Sequence, residues 1–507
     1  MFNMNSVIEN TLSPMEESIN HVNAGQNYLC ALSEYVNDFM LPYLSATSYF
    51  SQTEKLKSLN SNLFENITSM LELSEFNFDI SGKSCSSTIK AANDFVSKEF
   101  NDSIAALFNT FTFNEGENLQ ALMKRRTTAI NIVTNEYPKA IKDIEPEFGF
   151  HFERGGDKKI IETDRFILYR ISPTDKSVKV NNSAKPILII PPYVLGANIL
   201  SFLPAENRSY THSFANQGIP TYIRILKDID TNEAVQIMNG EDDAEDTRLF
   251  CEKIMPLHGK KITLNGYCQG GFSALCNLLS GKLDGLVDTL ITCVSPLDGS
   301  RSVGLSNFLK SLPLRYNDLS YGTKTLPNGN MVADGELMSW IYKLKSIENS
   351  SPVVSFLRDL AMLSPQNGGK MSFNKTGVAL NYWLKNERKD IPLGITKMSF
   401  ASFNSFVSKD GTLPVKLFGK KLNFNRIKEK NIKWLICYGE KDDLVEAPAA
   451  LIPTKFIEVE TTPFPKGHVA MATSWSHPDS EYALHKRFGD NRYRGPVRFQ
   501  LDLNGDN

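Results

Sequence analysis

The chain has 507 residues with 55 Lys+Arg against 57 Asp+Glu, a formal charge of −2. So balanced a charge gives no field able to hold nucleic acid or an anionic lipid surface in bulk, and 41% hydrophobic with 22% charged residues excludes a disordered chain. The length predicts two or three folding units.

Seven cysteines are scattered, none at CxxC spacing, which argues against a disulfide framework and for a reducing compartment. The first residues, MFNMNSVIENTLSP, lack the basic and apolar regions of a signal peptide. The longest apolar stretch, Pro186–Pro204, is broken by Pro191, Pro192, Gly196 and Asn198, so no membrane span is expected. The expected location is the cytoplasm.

Residues 1–150 read as a helical N-terminal domain. Ser13-Pro14-Met15-Glu16 has the form of a capping box with proline at the first helical position. Leu29, Leu32, Val36, Phe39 and Met40 follow at helical spacing, and Phe95, Ile104, Leu107 and Phe108 lead into Leu119, Leu122 and Met123. The sharper alternative is a dimerising or surface-binding module.

Residues 151–507 change rhythm. Short apolar runs at Phe166–Ile171, Ile187–Ile190, Thr221–Leu226, Ile262–Leu264, Leu286–Val294, Trp434–Tyr438 and Phe456–Val459 alternate with amphipathic segments such as Asp242–Leu257 and Phe272–Leu279. Continuous apolar runs suit strands buried on both faces of a parallel sheet, so the expected class is α/β. The interval 300–425 carries no clear strand series and reads as an inserted cap.

The chemistry centres on Lys261-Ile-Thr-Leu-Asn-Gly-Tyr-Cys-Gln-Gly-Gly-Phe272. A strand runs into a glycine-flanked residue and a helix starts at once, the context of a nucleophile elbow with Cys268 in place of serine. Gly266 and Gly270 leave room for the tight turn, and the helix amides favour thiolate and a developing oxyanion. The bland alternative is a structural cysteine in a glycine-rich turn. Downstream, Trp434–Tyr438 ends in Gly439-Glu-Lys-Asp442-Asp443, and Gly467-His468 follows the next run. Nucleophile, acid and base thus come in α/β-hydrolase order, with 26 residues from Asp442 to His468. Asp442 is the favoured acid and Asp443 the alternative. At the end of Ile187–Ile190, Pro191 and Pro192 have no N–H, so Tyr193 or Val194 would supply the second oxyanion amide beside that of Gln269.

Pro191-Pro192-Tyr193, Gly-Tyr-Cys268-Gln-Gly-Gly, Gly-x-x-Asp442 and Gly467-His468 together resemble the polyhydroxyalkanoate synthase family, a cysteine branch of the α/β-hydrolase fold. The resemblance spans roughly residues 150–480. It implies an acyltransferase on 3-hydroxyacyl-coenzyme A with Cys268 as nucleophile, His468 as base and Asp442 as its partner. It leaves open a homodimer and a polyester granule surface as further partners. Asp443 and Tyr193 stand where that family has His and, often, Trp. A cysteine hydrolase of thioesters or esters, and a non-catalytic binding protein, are the rival readings. No cofactor or metal is expected, since P-loop, zinc and dinucleotide spacings are absent; Gly368-Gly369-Lys370 lacks the rest of a P-loop. Lys124-Arg125-Arg126 reads as a solvated charged face.

Overall fold

The computed structural model describes residues 32–33, 36, 58–112, 115–311, 322–347, 351–363, 373–488 and 493–503. The Ser13–Glu16 capping box, Leu29, Phe39, Met40 and Gly368–Lys370 lie outside them. The chain divides into two compact units, one of residues 1–144 with 339–382, the other of 145–338 with 383–507. Residues 339–382 lie within the segment read from sequence as the cap.

The first unit is helical. Its helices include α1 (Leu63–Thr112) and α2 (Leu119–Asn131), and the Asn118 side chain caps α2 by accepting from the Ala121 amide. The unit's core gathers Ile132, Val133, Phe356, Leu357, Leu360 and Leu363, with Phe95 of α1 packed against it. Of the sequence-read apolar set, Ile104, Leu107 and Phe108 stay exposed, because helical spacing marks a face without saying what covers it. Arg125 and Arg126 correct another expectation. They are only 21% exposed and pair with Asp102, Glu117 and Glu99, so they tie α2 to its surroundings and do not form a solvated face.

The second unit is built on an eight-stranded sheet: β1 (Lys158–Glu162), β2 (Phe166–Ile171), β3 (Ile187–Ile190), β4 (Thr221–Leu226), β5 (Ile262–Tyr267), β6 (Val287–Cys293), β7 (Lys433–Gly439) and β8 (Glu460–Phe464). Their spatial order is β1-β2-β4-β3-β5-β6-β7-β8. From β4 to β8 every pairing is parallel, while β2 is antiparallel to both its neighbours. Central β3 and β5 are buried at every residue, as parallel strands covered on both faces must be. Helices α3 (Gly240–His258) and α4 (Gln269–Leu279) carry the chain between strands, and α3 starts with a reciprocal Asn239–Asp242 capping box. Strand order, the single reversed strand and an elbow after β5 define the α/β-hydrolase fold.

Two sequence expectations fail on strands. Phe456–Val459 is not a strand; Phe456 and Ile457 leave a 3-10 turn and pack into the main core, and the strand is the polar Glu460–Phe464 that follows. It lies at the sheet edge, where Pro463 is tolerated. Edge strand β1, Lys-Lys-Ile-Ile-Glu, had no apolar run to mark it. The interval 300–425 also contains short strands, Thr323–Thr325, Met331–Ala333 and Ile391–Pro392 in one sheet and a hairpin of Thr412–Leu417 with Lys420–Asn423. Between Pro392 and the hairpin lies α5 (Leu393–Asn404), which contacts α3 and the 3-10 turn Gly299–Arg301.

Candidate active site

Cys268 stands between β5 and α4 with φ 52° and ψ −125°, a conformation that L residues adopt only when their surroundings impose it. The Cys268 amide donates to the carbonyl of Cys293 on β6 at 2.8 Å, and its carbonyl accepts from the Gly271 amide at 2.9 Å. The flanking glycines are required by contact. A Cβ at Gly266 would run into the backbone of Gly271, and one at Gly270 into the carbonyls of Ile190 and Pro191. So the elbow presses against the end of β3. Cys268 is partly exposed, whereas Cys251, Cys276, Cys293 and Cys437 are buried. Burial pushes the Cys251 thiol up to about 12 and that of Cys276 higher still.

Parallel pairing of β7 with β8 brings the two following turns together, with Gly439 opposite Phe464. Asp442 Oδ2 lies 2.8 Å from His468 Nδ1. Its other oxygen accepts from the amides of Leu444 and Val445 at 3.0 and 2.9 Å, which fixes the carboxylate's orientation. Asp443, the alternative acid, is exposed. His468 Nε2 is buried and makes no hydrogen bond among the described residues. Burial disfavours the charged imidazole, but the charges of Cys268 and Asp442 outweigh it and hold the His468 pKa well above its ordinary value. Of the influences raising it, the thiol is the largest. Asp442 and His468 are thus joined through one imidazole nitrogen, the other makes no hydrogen bond among the described residues, and Cys268 is near enough to raise the pKa of the ring.

Tyr267 completes this arrangement and was not singled out from sequence. Its buried hydroxyl donates to the His468 carbonyl at 2.9 Å, with the two rings edge to face at 6.4 Å. Its position beside Cys268 was the only signal.

The expected oxyanion residues have a more particular geometry. The Gln269 amide begins α4, where no intrahelical acceptor exists. Val194 N–H is occupied: it donates to the Gln269 side-chain oxygen at 3.0 Å. Gln269 Nε2 in turn donates to Ser399 Oγ on α5 at 2.5 Å. Tyr193 directs its hydroxyl to Asp243 at 2.7 Å, and Asp243 also pairs with buried Arg224 and accepts from Asn277 of α4 at 3.0 Å. That buried charged cluster ties the exit of β3 to the elbow helix, although Arg224 Nε and Asn277 Oδ1 find no hydrogen-bond partner among the described residues. A cavity of about 240 Å³ next to it is lined by Phe150, Phe152, Tyr193, Arg224, Glu387 and Lys389; Cys268 and His468 are not among its walls. No group of His, Cys, Asp and Glu among the described residues could hold a metal ion, and none of the described helices is long and apolar enough to cross a membrane.

Neither protein-family models nor curated protein sequences match the chain. Among solved structures, it is similar to DcsB in complex with a substrate analogue, at 15% identity over 69% of this chain and 98% of that one, TM-score 0.36. It is also similar to the esterase RhEst1 from Rhodococcus sp. ECU1013, at 10% identity over 69% and 98%, TM-score 0.34. The naproxen esterase of Bacillus subtilis gives 11% identity over 67% and 93%, TM-score 0.33. The fold assignment stands on the strand order and the elbow of this chain, not on these likenesses.

Proposed function

We propose that this chain is an acyltransferase of the polyhydroxyalkanoate synthase kind, moving 3-hydroxyacyl groups from coenzyme A to a hydroxyl acceptor through a Cys268 thioester. What supports the reading is the unspent, charge-raised His468 Nε2 beside an elbow cysteine, with Asp442 on the opposite nitrogen. The substrate class comes from the resemblance of the motifs.

In the first half-reaction the Cys268 thiolate attacks the thioester carbonyl, and the oxyanion is met by the Gln269 amide and one from the β3 exit. The C–S bond to coenzyme A breaks, and the departing thiolate takes the proton held by His468. The acyl group stays a thioester, so its transfer potential is kept. In the second half-reaction His468 accepts the proton of an incoming hydroxyl, the alkoxide attacks the acyl carbon, and Cys268 leaves as thiolate. Asp442 steadies the imidazolium in both halves. Water in place of the hydroxyl would make the same site a hydrolase.

The test is purified protein with 3-hydroxybutyryl-CoA, following free CoA and insoluble polyester together. Polyester with CoA is the expected result, lost in Cys268→Ala and steeply reduced in Cys268→Ser. CoA with free acid assigns the hydrolase instead. Wild-type turnover in Cys268→Ala overturns the site altogether.

A further inference from the structure

Val194 N–H cannot serve an oxyanion while it holds another acceptor. In this structure that acceptor is the Gln269 side-chain oxygen, 3.0 Å away, carried by the residue whose own amide is the first oxyanion donor. The side chain is buried, so the bond is not weakened by competing water. Its amide nitrogen is anchored on Ser399, 130 residues later in the chain and on α5. One side chain thus bridges the oxyanion turn and a helix of the segment read as the cap.

We propose that Gln269 is a latch: its carbonyl stands in for the substrate's carbonyl oxygen and keeps the oxyanion site closed until α5 releases it. The proposal rests on the reading of Cys268 as nucleophile and adds a step to it. An entering thioester has to displace the Gln269 oxygen from Val194 N–H, and loss of the Ser399 bond frees the side chain to swing away. Site opening is thereby coupled to the Ser399 bond on α5, so acyl transfer starts only when that bond has broken. Replacing one neutral acceptor by another costs little at equilibrium, which makes the anchor on Ser399 the part that sets the resting state.

Two probes separate this gate from the nucleophile. p-Nitrophenyl acetate acylates Cys268 through a tetrahedral oxyanion, whereas iodoacetamide alkylates the thiol with no oxyanion. Peptide mapping follows both adducts at Cys268 and sets aside the exposed Cys85. Gln269→Ala and Ser399→Ala should each speed acylation roughly two- to tenfold, the factor one neutral hydrogen bond of ordinary net strength sets, with alkylation unchanged. Ser399→Ala keeps the elbow residue intact, so it decides the matter should Gln269→Ala disturb the turn. If Cys268 is acylated in the wild type and Ser399→Ala is no faster or is slower, Gln269 merely positions the turn and the latch is overturned. If no acyl adduct forms at Cys268 in any form, the nucleophile reading fails and the latch with it.

Discussion

The hydroxyl of Tyr267 donates to the carbonyl oxygen of His468 at 2.9 Å, so the residue before the elbow cysteine holds the backbone of His468. His468 is thus located by the strand that ends at Cys268, and under the proposed function that strand positions both base and nucleophile. Tyr267→Phe removes that one donor and leaves a buried carbonyl unsatisfied, at a cost of about 1–3 kcal/mol in stability. The kinetic effect should be disproportionate. Turnover should fall by one to two orders of magnitude through kcat, with KM nearly constant, since about 1 Å of misplacement of a reacting group costs on that order. Equal kcat in the variant and the wild type would show that Tyr267 only fills space.

The His468 imidazole should titrate well above the ordinary histidine range in NMR spectra of the folded protein. Cys268→Ala should lower that pKa, because the thiol contributes the largest of the raising influences, and Asp442→Asn should lower it too. Stability follows the sign: a histidine whose pKa is raised by folding contributes fully below about 6.5, and the contribution fades as pH rises through the folded value. A His468 pKa that is insensitive to both substitutions would mean that neither group reaches the ring.

His212 predicts the opposite dependence. It is buried, its Nδ1 lies 2.7 Å from Ser209 Oγ, and burial takes its pKa down to about 4. Below about 6.5 the unfolded chain binds a proton that the folded one refuses, so stability falls as pH drops from there toward the folded value. The loss is on the order of 3 kcal/mol at 1.36 kcal/mol per pH unit. Urea midpoints of the wild type and His212→Gln, compared at pH 7 and 4.5, should therefore diverge, with the smaller acid loss in the variant. Parallel losses would remove His212 as a cause.

The strands β2, β3 and β4 were legible to the residue because each is a largely apolar run between turns, interrupted only by Arg170 in β2 and by Thr221 and Arg224 in β4. The elbow was legible for a different reason: only glycine tolerates the contacts at 266 and 270, so the pattern is dictated by space. Edge strands β1 and β8 have one neighbour and polar sequences, and hydrophobic periodicity says little about them. Phe456 and Ile457 misled because an apolar run records burial, not backbone conformation. Asp442 could be ranked over Asp443 but not separated from it, since the amides of Leu444 and Val445 that orient the Asp442 carboxylate are a product of the folded turn. Ser399 left no trace in the sequence at all. A lone serine on a helix acquires its part only when the fold sets it against Gln269.

The division of the chain bears on the order in which it can fold during synthesis. The helical unit takes Ile132 and Val133 from its N-terminal part, but Phe356, Leu357, Leu360 and Leu363 come more than two hundred residues later. Although its first helices leave the ribosome earliest, their core has no opposite wall until that segment has been made. By then the strands from β1 to β6 already exist, so the α/β unit is the first to have most of its sheet. Until residue 363 emerges, Phe95, Ile132 and Val133 are apolar side chains waiting for a partner, and the nascent chain spends that interval with its N-terminal helices exposed to whatever is nearby.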